Sequence, residues 1–183
     1  GAHPSYPDME NFGRIKIGMS SAAISETIAE QITRLKEIAS NNGSLLTHVK
    51  PHGALYNKAV NSEEIAAAIG TGVKYVDEEL KLVGLAGSKM LAVWQGMGFD
   101  IMGEGFADRT YEYNGTLRNR KFDDALITDP GIAAEQAECM ARNENFTAVD
   151  GTALSIAVQT ICVHSDTPNA VEITRAVYAA LQP

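Results

Sequence analysis

The sequence predicts an α/β fold built on a mostly parallel sheet. Apolar segments of strand length alternate with longer segments of helical period along the chain. One strand-like segment, Val158–Val163, is almost continuously apolar, the pattern of a strand covered on both faces. Clusters of ionisable side chains recur just after the strand-like segments, where a parallel sheet gathers its chemistry along one edge.

Each element has its own warrant. Ser20-Ser21 caps a helix that runs to Asn42-Gly43, with Ile24, Ile28, Ile32, Leu35 and Ile38-Ala39 as one buried stripe. Leu45 to Val49 reads as a short strand. Asn61-Ser62-Glu63-Glu64 opens a helix bearing Ile65, Ile69, Val73 and Val76, and Leu80 to Leu85 follows as a strand. Ser88 caps a helix through Met97, stopped by Gly98, and Phe99 to Gly103 is the next strand. Pro130 suits the first turn of a helix reaching about Arg142. After the strand Val158–Val163, Thr167-Pro168 starts a last helix, with Val171, Ile173-Thr174 and Val177-Tyr178 expected to face inward. Between Phe106 and Asp129 no periodicity appears, and a loop of that length is commonly functional.

Composition bounds the rest. A chain of 183 residues suits one domain and buries enough surface to fold without disulfides. The formal net charge of −8 argues against a nucleic-acid or anionic-membrane surface. No apolar run approaches the roughly 20 residues of a membrane span. Two cysteines, Cys139 and Cys162, form neither a disulfide framework nor metal-ligand spacing, so a reduced, cytoplasmic setting is expected.

The densest chemistry lies in His48-Val49-Lys50-Pro51-His52-Gly53-Ala54-Leu55-Tyr56-Asn57. In an extended chain residues i, i+2 and i+4 share a face, so His48, Lys50 and His52 project together at a strand end. Other clusters take the same position. His3 through Asp8 follow the strand stub Gly1-Ala2. Glu104, Asp108 and Arg109 follow Phe99–Gly103, and His164, Ser165 and Asp166 follow Val158–Val163. In a parallel sheet these segments are expected to meet at one rim. Taken singly, His3 or His164 reads as a hydrogen-bonded structural histidine, and Asp108-Arg109 as an ion pair fixing the long loop. Asn114-Gly115 is a tight turn. Met90, Trp94, Met97 and Met102 fit packing. Two histidines with a carboxylate can hold Zn²⁺, but no H-E-x-x-H or C-x-x-C pattern exists, and no tightly bound metal is expected. Gly84-Leu85-Ala86-Gly87-Ser88-Lys89 sits where a helix start can hold an anion, yet it lacks P-loop order, and close packing explains its glycines equally well.

These motifs together carry a resemblance. Gly1-Ala2-His3-Pro4-Ser5-Tyr6-Pro7-Asp8 with Asn11-Phe12-Gly13-Arg14, the His48–Asn57 segment, and Val83-Gly84-Leu85-Ala86-Gly87-Ser88 resemble the LamB/YcsF family, whose members are also described as the A-subunit of 5-oxoprolinase. So do Glu104, Phe106-Ala107-Asp108-Arg109 with Tyr111, Gly115, Leu117 and Arg120, and Thr160-Ile161-Cys162-Val163-His164 with Asp166. The resemblance implies a seven-stranded β/α barrel related to glycoside hydrolases and polysaccharide deacetylases. The family's pattern begins upstream of Gly1, so one domain over residues 1–183, lacking the N-terminal strands of that barrel, is expected. Asn119 to Asp129 carries more charge than the family leads one to expect.

The implied activity is ATP-dependent opening of 5-oxo-L-proline to L-glutamate, with two further subunits and with ATP carried alongside Mg²⁺. That chemistry needs cations for phosphate, a general base and hydrogen bonds to the ring carboxylate. Lys50, His52, Asp108 and His164 are the expected catalytic groups, with Lys50 and Arg109 as sources of positive charge and Asp108 or Asp166 as orienters of a histidine. His3, His48, Tyr56, Asn57, Glu104, Arg109 and Asp166 are expected substrate contacts. Two rival expectations are a metal-dependent deacetylase of carbohydrate-type substrates and a non-catalytic component that binds a lactam or carbohydrate.

Overall fold

The structure is a computed structural model that describes residues 1–182. It divides into two compact units, Gly1–Met102 and Gly103–Pro183.

The first unit holds helices α1 (Ser21–Asn41), α2 (Gly53–Ala59), α3 (Glu63–Val76) and α4 (Lys89–Gly96), with strands β1 (His48–Val49) and β2 (Lys81–Leu85). β1 and β2 pair in parallel, His48 opposite Lys81 and Val49 opposite Leu82. Ala2 bridges Val49 in parallel on the other side of β1, so the stub at the start of the chain is a strand segment. β3 (Ile101–Phe106) begins in this unit, and the Leu82 amide donates to the carbonyl of Asp100 just before it, at 2.9 Å.

Local chemistry accounts for the helices. The Ser20 hydroxyl accepts from the Ala23 amide and caps α1, and the Ser62 hydroxyl accepts from Ile65 and caps α3. α1 and α3 run side by side, with Ile24, Ile28 and Ile32 of α1 and Ile69 and Val73 of α3 all buried. The expected stripe stops there. The Lys36–Asp77 ion pair of 2.8 Å marks where α3 ends, and Ile38, two residues further along α1, is half exposed. Trp94 is fully buried and its indole N–H donates to the Ala66 carbonyl at 2.8 Å, tying α4 to α3.

The second unit holds most of β3, the hairpin of β4 (Phe146–Thr147) and β5 (Ala153–Leu154), strand β6 (Thr160–Cys162), and helices α5 (Pro130–Ala141) and α6 (Ala170–Ala180). β3 and β6 pair in parallel, with Glu104 opposite Thr160 and Phe106 opposite Cys162. Its core packs Ala133 and Ala137 of α5 and Ile173 and Val177 of α6 against Ala107, Ile127, Ile161 and Val163.

Several expectations are corrected. The strand expected from Leu45 shrinks to His48–Val49, and Leu45 is exposed. Gly43 at φ 69° and Ser44, whose amide reaches back to Ala39, close the helix end immediately before Leu45. β3 starts and ends later than Phe99–Gly103, which puts Glu104 inside the strand rather than after it. Val158–Val163 is only partly buried, since the helical layer of this unit covers Ile161 and Val163 from one side. Val171 and Tyr178 point to solvent, seven residues apart on the face opposite Ile173 and Val177. Helix α2 and the β4–β5 hairpin have no counterpart in the expected elements.

Candidate functional site

In the first unit, residues 1–4 and 48–52 form a short parallel ladder. The Ala2 amide donates to His48 O at 2.9 Å, Lys50 N–H to Ala2 O at 2.9 Å, and His52 N–H to Pro4 O at 2.8 Å. Burial alternates as expected: Val49 and Pro51 are buried, while His48, Lys50 and His52 are partly exposed. Pro51 therefore does not break the alternation. The ladder sets His3 beside His52, with Nδ1 of His52 3.0 Å from Nε2 of His3 and ring centroids 4.7 Å apart. Nδ1 of His3 lies 2.8 Å from the Lys50 carbonyl.

His48 sits 2.9 Å from the Thr47 hydroxyl through Nδ1. Its ring occupies the space where a Cβ on residue 1 would stand, which explains Gly1. Burial, then nearby positive charge including that of Lys50, pushes the His48 imidazole below its ordinary pKa. Gly53, at φ 63°, lets the chain turn into α2 so closely that a Cβ there would lie 2.5 Å from the Gly13 carbonyl. Tyr56 is buried in that helix, and Asn57 beside it is exposed.

In the second unit, Gly105 faces Met140 and Val158, and strand alternation turns Glu104 and Phe106 to the other face. Glu104 is almost fully buried. Just past the strand, Asp108 has no exposed surface. Its Oδ2 accepts from the backbone amide of His164 at 2.9 Å, and His164 Nδ1 lies 3.0 and 3.1 Å from its two oxygens. Burial alone would raise the Asp108 carboxyl, but hydrogen bonds from His164 and Thr167 outweigh it and hold the group below its ordinary value. A carboxylate accepts only, so Nδ1 of His164 carries the proton and the basic nitrogen of the neutral ring is Nε2. Phe106 stacks on the ring at 5.2 Å between centroids.

The expected Asp108–Arg109 ion pair is not how the long loop is fixed. Asp108 belongs to His164, and Arg109 clamps the loop itself, donating from Nε to Ala125 O at 3.1 Å and from Nη2 to Arg118 O at 2.5 Å. Its burial lowers the guanidinium pKa, and Arg120 adds to the effect. Arg118 pairs with Glu112 and Asp124 and lies over the Phe122 ring, which gives the charged stretch an ordered conformation. Asp166 pairs with Arg120 at 3.1 Å.

Two residues escaped sequence reasoning. Thr167 donates to Asp108, and Gln136 of α5 donates from one amide nitrogen to Phe106 O, Ala107 O and Arg109 O, pinning the turn that carries Asp108. A buried Gln aligned with the helix stripe at Ala133 and Ala137 was the available signal for the second. Gly84 is a packing residue, since a Cβ there would meet Met90 and Trp94 within 3 Å. Among the described residues, no group of three or more His, Cys, Asp or Glu gathers as a metal cage. Neither cysteine forms a disulfide. No helix among them is long and apolar enough to cross a membrane.

The LamB/YcsF family model matches residues 1–183. The chain belongs to the LamB/YcsF family. Among family relatives, the 5-oxoprolinase A-subunit of Chloroflexus aggregans is 44% identical over 182 residues, covering 100% of this chain and 72% of that protein. The 5-oxoprolinase A-subunit of Heliobacterium modesticaldum is 40% identical over 182 residues, again 100% of this chain and 72% of the relative. A crystal structure of a lactam utilization protein from Thermus thermophilus matches with a TM-score of 0.91 and 38% identity, covering 99% of this chain and 72% of that one. Family membership thus agrees with the α/β fold and parallel strands read from the residues.

Proposed function

We propose that this chain is the A-type component of an ATP-dependent 5-oxoprolinase, opening the lactam of 5-oxo-L-proline to L-glutamate in the cytoplasm together with two further subunits. The names of its relatives support the substrate and the multi-subunit setting. The observation that carries the reading is the Asp108–His164 pair: a fully buried carboxylate that holds Nδ1–H of a partly exposed histidine and leaves Nε2 as the base.

The chemistry follows from the substrate. A five-membered lactam is resonance-stabilised and resists water. Transfer of the γ-phosphoryl group of ATP to the lactam oxygen releases ADP and makes the carbonyl carbon electrophilic. Water then attacks, its oxygen forming the new bond while its proton passes to Nε2 of His164. Asp108 stabilises the imidazolium that results. The ring C–N bond breaks with its electron pair remaining on nitrogen, which takes the proton back from Nε2 of His164 and becomes the amino group of glutamyl phosphate. A second water releases inorganic phosphate.

Reconstitution with the two partner subunits tests this. Glutamate release from 5-oxo-L-proline is expected only with ATP present, and His164→Ala is expected to abolish it while the far-UV spectrum stays unchanged. Release of no glutamate by the wild-type assembly, or full release by the variant, overturns the reading.

A further inference from the structure

The first unit holds a second histidine whose orientation is imposed by a partner. Nδ1 of His3 faces the Lys50 carbonyl at 2.8 Å, and a carbonyl only accepts, so His3 carries its proton on Nδ1. The neutral His3 ring then offers Nε2 as an acceptor. Nδ1 of His52 stands 3.0 Å from that atom and must be the donor. Protons are thereby ordered along His52, His3 and the Lys50 carbonyl, and the basic nitrogen of His52 is Nε2. An isolated imidazole in water has no such constraint.

We infer that His3 is a positioning residue for His52, holding it in the Nδ1–H form and making its Nε2 a proton acceptor for the second water, the one that releases phosphate. This deepens the proposed function and rests on it. When the second water attacks the acyl phosphate, one of its O–H bonds breaks with the electron pair left on oxygen, and the lone pair on Nε2 of His52 forms the new N–H bond. The Nδ1–H bond to His3 then becomes charge-assisted, so the neutral His3 ring spreads the charge without itself becoming charged.

The arrangement is set by backbone. The ladder bonds Ala2–His48, Ala2–Lys50 and Pro4–His52 fix the register that brings the rings together, and none of them uses the His3 side chain. His3 is itself exposed. Its replacement therefore leaves the ladder standing, and a loss of function can be read as loss of positioning.

Two measurements decide the matter. Long-range ¹H–¹⁵N NMR of the chain at neutral pH reports the tautomer of His52, and reconstituted turnover reports kcat and KM. Wild type is expected to show His52 protonated at Nδ1. His3→Ala is expected to shift that proton to Nε2 and to lower kcat by about 10–100-fold with KM little changed. His3→Gln keeps an acceptor oxygen toward His52 and is expected to retain the Nδ1–H form and recover most of the lost kcat. An unchanged tautomer or unchanged kcat in His3→Ala, or equal losses in both variants, overturns the inference. If the wild-type assembly releases no glutamate, the proposed function fails, and the NMR tautomers still decide whether His3 orients His52.

Discussion

The Thr167 hydroxyl donates to Oδ2 of Asp108 at 2.5 Å, the same oxygen that accepts the backbone amide of His164. Thr167 is buried, so the bond is made away from water. It comes from the turn just before α6, and it ties that helix start to the carboxylate that orients the imidazole.

Thr167→Val keeps the shape and removes the donor. The Asp108 carboxyl lies below its ordinary value in the folded chain, so it stabilises the fold above the unfolded value of about 3.9. That contribution is lost as pH falls through the folded value. The variant is expected to lose about 1–3 kcal/mol at pH 7, with the gap to wild type closing under acid conditions where the carboxyl is protonated in both. Urea unfolding at neutral and acid pH measures this. A gap independent of pH would assign the loss to packing.

Asp108→Asn is expected to leave the backbone in place and lower glutamate release by about 10²–10⁴-fold. The amide no longer demands an N–H from Nδ1 of His164, and the imidazole loses the charge that stabilises its protonated form. The readout is kcat of the reconstituted assembly. Near-wild-type turnover would remove this pair from the chemistry.

Helix packing allows a paired test with two glycines. A Cβ on Gly72 would lie 2.5 Å from the Ser25 carbonyl oxygen and 2.8 Å from the Ile28 Cβ, whereas a Cβ on Gly96 meets nothing within 4 Å. Gly72→Ala is expected to destabilise by about 1–3 kcal/mol despite its better helix propensity, because backbone must move. Gly96→Ala is expected to be neutral or to stabilise by up to about 1 kcal/mol. Thermal unfolding distinguishes them, and equal shifts would contradict the close contact of α1 with α3.

Arg109→Lys tests the loop clamp. Lysine keeps the charge but cannot reach Ala125 O and Arg118 O with a planar fork. Limited proteolysis is expected to cut residues 110–126 faster in the variant, with α5 and α6 still protected. Unchanged cleavage rates would show that the Arg118 network alone holds the loop.

Much of this was legible in the chain because it is local. Ser20, Ser62 and Pro130 announce helix starts through chemistry confined to one turn. The alternation around His48, Lys50 and His52 survives because it follows strand geometry alone. Helix α2 was hidden by its seven residues, too few for a period to emerge, and the β4–β5 hairpin by strands of two residues each. Ile38, Val171 and Tyr178 misled because apolar spacing cannot say where a neighbouring element ends.

By itself, then, the amino-acid order determined the alternation of elements, the residues at the strand ends and, through its motifs, the family. Only the tertiary structure decided which of those residues serve one another: His164 and Thr167 on Asp108, His3 on His52, Arg109 on the loop. These partners lie 56, 59, 49 and 16 residues apart. A hydrogen bond over such separations depends on strand register and ring orientation to within a fraction of an ångström, and no local propensity encodes that.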